Sequence, residues 1–318
     1  MHCAYICFAQ RSIRDRKSAI CIALFVICLA ETTTLAADQP VPKTVAPGAK
    51  LVEVYAAKSF FEGPTWDPAG KKLYFTSFPE GTTQILRLDE PGKATVWMDK
   101  TEGVNGTYLS KDGRLLGAQA FGHRVVSYGF GPEGPTDAKV LLFDNTLNQP
   151  NDICQAPNGD IYFTDPDFDK RLKSAVFRLT PDGKATKVIT DMDVPNGLIA
   201  SNDGKTLYVG DSFRKLWRAY PIAADGSAGA GREFFNPETD NQSEPDGMSI
   251  DADGNLYFSG RGGLWVVSPE GKSLGLIPIP EFCSNVTFGA ADGKTLFMTC
   301  ANKVYSLQMT VRGGQFGK

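Results

Sequence analysis

The sequence predicts an all-β chain folded as a six-bladed β-propeller, with four-stranded blades and an N-terminal strand closing the last blade. Three observations predict it. Turn glycines recur at 70, 113, 159, 204, 254 and 293, spaced 39–50 residues apart. Each glycine opens an alternating run rich in aromatic and β-branched residues, as in GKKLYFTS, GDIYFTD, GKTLYVGD and GNLYFSG. Eight residues before each glycine stands an acid or an amide: Glu62, Asn105, Asn151, Asn196, Asp246 and Asn285.

The elements follow in order. Residues 1–36 read as a signal peptide: Arg11, Arg14, Arg16 and Lys17 precede a twelve-residue apolar run, Ala19 to Ala30, too short to span a bilayer comfortably, and Thr34-Leu35-Ala36 offers a small-residue cleavage site. The protein is therefore expected to be exported, periplasmic or secreted, with no stable membrane insertion after cleavage. Residues 37–49, with three prolines, are expected to form a flexible leader, and residues 50–318 the propeller. The strand KLVEVYA (50–56) has no partner of its own, while the sixth repeat runs short. Pairing the two closes the ring and removes an open sheet edge. Within the repeats, GKKLYFTS and its counterparts give one strand, and QILRLD (84–89), AVFRLT (175–180), KLWRAY (215–220), GLWVVS (263–268) and KVYSLQ (303–308) give the next. KATVWM (93–98) and KATKVI (184–189) supply outer strands. The innermost strand of each blade then begins at the polar residue, so all six polar side chains are directed at one axis.

Composition narrows the chemistry. The net charge is −3, or −5 once residues 1–36 are removed, and no basic stripe points to nucleic acid. Beyond residue 36 there are three cysteines, Cys154, Cys283 and Cys300, an odd number that rules out a complete disulfide framework. Cys283 and Cys300 can pair in an oxidising compartment, or all three can be buried thiols. His123 is the only histidine left, in a loop-like AFGHRVV context, so a serine- or cysteine-histidine apparatus has a single available base. The axial set instead offers oxygen ligands. Glu62, Asn151, Asn196 and Asp246 suit one hard divalent cation, Ca2+ best, with Mg2+, Mn2+ or Zn2+ able to occupy related cages. A hydrolase built on this chain must use metal and carboxylate chemistry.

The segments FEGPTW, PNDICQAPNGDIYFTDP, VPNGLIASNDGKTLYVGDS and EPDGMSIDADGNLYFSG, in that order, resemble the signatures of the SMP-30/gluconolactonase/LRE family across residues 50–308. The resemblance implies a six-bladed propeller holding one divalent metal, with Glu62, Asn196 and Asp246 as ligands and Asn151 as ligand or substrate contact. It also implies hydrolysis of a lactone, typically a sugar lactone, or of another ester. In such a site Asp246 is the candidate catalytic base, and Asn105, Asn151 and Asp152 are candidates to hydrogen-bond substrate hydroxyls. Arg124 and Arg261 are candidates for the channel rim. The chain departs from the family pattern CEHGNRRV in the second blade: Gln119 and Ala120 fall where an acid and a histidine face the pocket. Two other readings share the fold: an NHL-like binding module without catalysis, and a strictosidine-synthase-like enzyme, which needs no metal.

Overall fold

The computed structural model of the protein describes residues 39–317. These residues form six four-stranded antiparallel sheets and no α-helix. Strand β1 (Val52–Ala56) comes first but belongs to the last sheet. Blade one is β2–β5 (Phe60–Asp67, Lys72–Phe78, Gln84–Glu90, Lys93–Asp99). Blade two is β6–β9 (Val104–Leu109, Leu115–Gln119, Arg124–Gly129, Thr136–Phe143). Blade three is β10–β13 (Ile153–Gln155, Ile161–Asp165, Ala175–Leu179, Ala185–Ile189). Blade four is β14–β17 (Pro195–Ala200, Thr206–Asp211, Leu216–Pro221, Arg232–Phe235), and blade five is β18–β21 (Met248–Ile250, Leu256–Gly260, Gly263–Val267, Ser273–Pro278). Blade six comprises β22–β24 (Cys283–Gly289, Thr295–Cys300, Lys303–Gln308), with β1 outside β24. The six-bladed propeller and its N-terminal closure are as the repeats require. The expected signal peptide lies outside the described residues.

Each blade is a meander because its turns suit tight hairpins. Five of the six repeat glycines (113, 159, 204, 254, 293) adopt φ between +68° and +95°, where a side chain is strained. Blade one differs: Lys71 takes the left-handed conformation at φ +53°, and the Asp67 carboxylate accepts the Ala69 and Gly70 amides at 3.0 Å.

The second strands are the most deeply buried, every residue of β7, β11 and β19 being inaccessible, whereas β9 on the outside is mostly exposed. Flat rings fill the spaces between blades. Trp217 of blade four stacks on Phe258 of blade five with centroids 5.0 Å apart, and Trp66 of blade one stacks on Phe297 of blade six at 5.7 Å.

Closure depends on β1 and on the joint between blades six and one. Val52, Glu53, Tyr55 and Ala56 pair with Ser306, Tyr305, Val304 and Lys303. Val54, Phe61, Phe75, Phe297 and Val304 pack as one buried cluster across the joint, and Ser284 Oγ donates to the Phe61 carbonyl at 2.7 Å. The segment expected as a flexible leader is hydrogen-bonded from Pro40 onward. Pro40 O accepts from Leu276 N, Thr44 O from Thr310 N, and Ala46 N donates to Gln308 O. Its prolines lack an N–H but keep their carbonyls, and Val45 and Ala49 pack on the blade-six core.

Phe61 is fully buried, meets Phe75 edge-to-face at 5.1 Å, and immediately precedes Glu62. Phe61→Ala is expected to destabilise the fold by about 3–5 kcal/mol, read as a lower urea midpoint at unchanged m-value. A change below about 1 kcal/mol would mean the joint does not hold the ring.

Candidate active site

The inner strands deliver their polar residues through irregular backbone. Ladder register slips between Glu62 and Thr65, between Val104 and Thr107, between Pro195 and Leu198, and between Cys283 and Asn285. Such bulges bend the strand and re-aim the side chains beside them. In blades three and five the strand starts later. Asn151 and Asp246 precede β10 and β18, yet their amides still reach Thr164 O at 2.9 Å and Ser259 O at 3.2 Å. The polar residues thus sit where six strands crowd towards one axis.

That crowding explains the glycines that follow them. A Cβ on Gly63 would lie 2.2 Å from Asn105 O, one on Gly197 2.1 Å from Asp246 O, and one on Gly247 2.0 Å from the Asn285 amide. Asp152 and Val286 are the exceptions, standing where blades one, two, four and five have glycine. The Asp152 carboxylate occupies the space over Gly106, whose Cβ would lie 2.0 Å from Oδ1.

The side chains converge. Asn285 Nδ2 donates to Glu62 Oε2 at 3.0 Å and to both Asp152 carboxylate oxygens at 3.1 and 3.2 Å. Glu62 Oε2 also accepts the Gly63 amide at 2.6 Å. Val286 N donates to Asn285 Oδ1 at 2.8 Å, fixing which end of the amide faces the carboxylates. Glu62, Asp152, Asn196 and Asn285 are all buried, while Asp246 is half-buried. Burial, reinforced by the Asp152 charge, pushes Glu62 up to about 8, and burial pushes Asp152 up to about 7. Dehydration, then the charges of Glu62 and Asp152, hold Asp246 well above the usual carboxylate range. Asp152 thus acts on Glu62, and both act on Asp246, as carboxylates close to one another do.

This donor set fits a divalent cation. Its charge would relieve the repulsion among the carboxylates, and there are neutral oxygens to complete its shell. Asn196 Nδ2 is committed to Ser212 Oγ at 3.1 Å, which leaves Asn196 Oδ1 buried with no donor. Asn105 Oδ1 is buried and unpartnered as well. An orphaned amide oxygen in a ring of acids is a cation ligand in waiting. Among the described residues no cluster of three histidine, cysteine, aspartate or glutamate side chains has metal-binding geometry, so the amide oxygens are essential to this fit.

The loops entering the inner strands are clamped at the ends of the second strands. Asp165 accepts Asn148 N at 3.0 Å and Gln149 N at 2.9 Å, holding the approach to Asn151; burial lifts it to about 6. Asp211 accepts Asp193 N at 2.9 Å and Val194 N at 3.2 Å, holding the approach to Asn196. Gln119 Nε2 donates to Thr101 O at 2.7 Å, so this departure from the family pattern braces the entry to blade two. His123 lies in the β7–β8 turn with Nδ1 2.9 Å from Leu147 O. Arg124 is ion-paired with Glu102 at 3.0 Å, and Arg261 donates to Thr239 O at 3.1 Å from the β19–β20 turn.

A cavity of about 480 Å³ adjoins these residues. Asp152, Asn285, Thr65, Thr107, Met248 and Gln315 are among the residues that line it. Sequence reasoning placed Glu62, Asn196 and Asp246 together; the structure sets each at the inner strand of its blade, and the direct side-chain contact at Glu62 is with Asn285. It did not give Asn285 a role, although the eight-residue phase marked its position. The structure makes Asn285 the donor that holds Glu62 and Asp152.

Comparison with known proteins agrees with this architecture. Residues 60–302 match the SMP-30/Gluconolactonase/LRE-like region. The chain belongs to the SMP-30/gluconolactonase/LRE family. A gluconolactonase of Zymomonas mobilis subsp. mobilis is 30% identical over 304 residues, covering 84% of this chain and 82% of the relative. Pentonolactonase XacC of Haloferax volcanii is 28% identical, covering 76% and 81%. Among solved structures, a gluconolactonase of Xanthomonas campestris superposes with a TM-score of 0.74 at 30% identity, over 84% of this chain and 91% of that one. The family match thus spans every inner-strand residue described above.

The shifted acids are expected to make the stability of this family member pH-dependent when no divalent cation is present. Glu62 rises from 4.5 to about 8 and Asp152 from 3.8 to about 7. Raised folded-state values stabilise fully below the unfolded ones, and the contribution is lost as pH climbs through 7 and 8. In chelator the melting midpoint is expected to fall between about pH 5 and 8.5, and excess CaCl2 to flatten that fall. A calorimetric profile in chelator that is level across this range would count against the shared ring.

Proposed function

We propose that this protein is a divalent-cation-dependent lactonase acting on a sugar lactone. The observation that carries the reading is the convergence of Glu62 and Asp152 on the Asn285 amide, together with the buried, unpartnered Asn196 oxygen. The relatives named gluconolactonase and pentonolactonase support the lactone as substrate class. The oxygen-only donor set favours Ca2+.

Glu62, Asn196 and Asp246 would hold the cation, with Asn151 positioned to complete its shell. When bound there, the ion acts as a Lewis acid towards the lactone carbonyl. The residues do the rest. Asp246, the most accessible of the three acids, takes the proton of the attacking water. Asn105, with its buried unpartnered Oδ1, and Asn151 hold substrate hydroxyls. Ser212 orients Asn196: its hydroxyl meets Asn196 Nδ2 and donates in turn to Pro245 O at 2.6 Å, tying that ligand to the segment bearing Asp246. Asp152, held by the Asn285 amide at 3.1 Å, would add negative charge to a site that holds a cation. The NHL-like and strictosidine-synthase-like readings give these three acids no task.

Glu62→Gln and Asp246→Asn are each expected to lower kcat/KM for aldonolactone hydrolysis at least about 100-fold, followed by pH-stat titration with added CaCl2. Chelation should abolish turnover and calcium restore it; full turnover in excess EDTA would refute the mechanism. Ser212→Ala is expected to weaken calcium binding about 10-fold in calorimetric titration while leaving kcat at saturating calcium nearly unchanged. An unaltered affinity would separate Ser212 from the site.

A further inference from the structure

We propose that Cys283 and Cys300 close a disulfide that locks the two innermost strands of the ring-closing blade. They are direct cross-strand partners, Cys283 on β22 opposite Cys300 on β23. Opposed residues of an antiparallel pair lie about 4.5–5.5 Å apart at Cα, within the span a disulfide bridges. Both side chains are fully buried, so no movement from the surface is needed to bring them together. The third described cysteine, Cys154, belongs to a different core cluster and has no thiol partner among the described residues.

The position matters for the ring. Cys283 begins the register slip that ends at Asn285, the donor to Glu62 and Asp152. Ser284 between them makes the bond to Phe61 O across the joint. Blade six is the blade in which β1 meets β24, and hydrogen bonds, packing and the Lys303–Glu53 ion pair at 3.2 Å hold it without a covalent link. A crosslink here restrains the strand that carries Asn285 and removes freedom from the opened ring.

The chemistry balances with a small-molecule disulfide as oxidant. One cysteine thiolate forms a mixed disulfide with glutathione disulfide and releases glutathione. The other thiolate displaces the second glutathione. Two protein thiols lose two protons and two electrons, and the oxidant becomes two thiols. The hydrogen bond to Cys300 and burial hold the Cys283 thiol well above the usual range, so the folded, reduced pair reacts poorly. The bond therefore forms while blade six is still open, during folding. This inference is independent of the lactonase reading.

The test is refolding of the full chain in a glutathione redox buffer, followed by alkylation in denaturant and a non-reducing tryptic map. The peptides 273–294 and 295–303 are expected to appear joined, and to separate on reduction. The oxidised protein should melt about 5 °C above the reduced protein, and Cys300→Ala should match the reduced form under both conditions. Recovery of the two peptides singly alkylated, or Cys283 joined to Cys154, would overturn the proposal. So would a Cys300→Ala midpoint equal to that of the oxidised protein. Where refolding fails, protein expressed into an oxidising compartment and trapped by alkylation gives the same readings.

Discussion

The structure depends on keeping three carboxylates together at the axis of a closed ring. Burial disfavours the charge of each acid, the Asp152 charge adds to this at Glu62 and both add to it at Asp246, and the propeller must hold them against that cost. It does so with a neutral donor. One Asn285 amide spans Glu62 and Asp152, and its own oxygen is fixed by the Val286 backbone. A cation among these groups reverses the sign of the problem, turning repulsion into shared attraction. In the proposed function the same cluster would link fold stability to cation binding.

Holding the cluster also explains features that look merely structural. The bulges beside Glu62, Asn105, Asn196 and Asn285 bend the inner strands without ending them. The glycines after four ring residues let neighbouring backbones approach to distances a methyl group forbids. Asp165 and Asp211 each clamp two backbone amides of an entering loop, so Asn151 and Asn196 arrive in fixed positions. These are supports for a preorganised site, in which the cost of ordering is met by folding and not by substrate.

Ring closure belongs to the same account. Glu62 lies on the inner strand of blade one and Asn285 on that of blade six, so the hydrogen bond between them crosses the joint between these blades. Anything that loosens β1, the Phe61 cluster or the β22–β23 pair changes the distance between these two side chains. The leader segment laid along Leu276 and Gln308 adds further backbone bonds on that side of the molecule. Site geometry and propeller closure are thus set by overlapping contacts.

The sequence by itself determined the repeat, the blade count, the closing strand and the acids and amides at the axis, because hairpin glycines and strand periodicity are local and repeat in phase. Glu62, Asn196 and Asp246 were legible for that reason. Only the tertiary structure decided which of the six polar positions touch. Asn285 lies 223 residues from Glu62 yet donates to it, and Asp152 reaches inward where four equivalents are glycine. It likewise decided that Gln119 braces a loop and that the prolines of the leader lie fixed against blades five and six. Periodicity assigns residues to a face; which side chains meet across the axis follows from closure, and closure is a property of the whole ring.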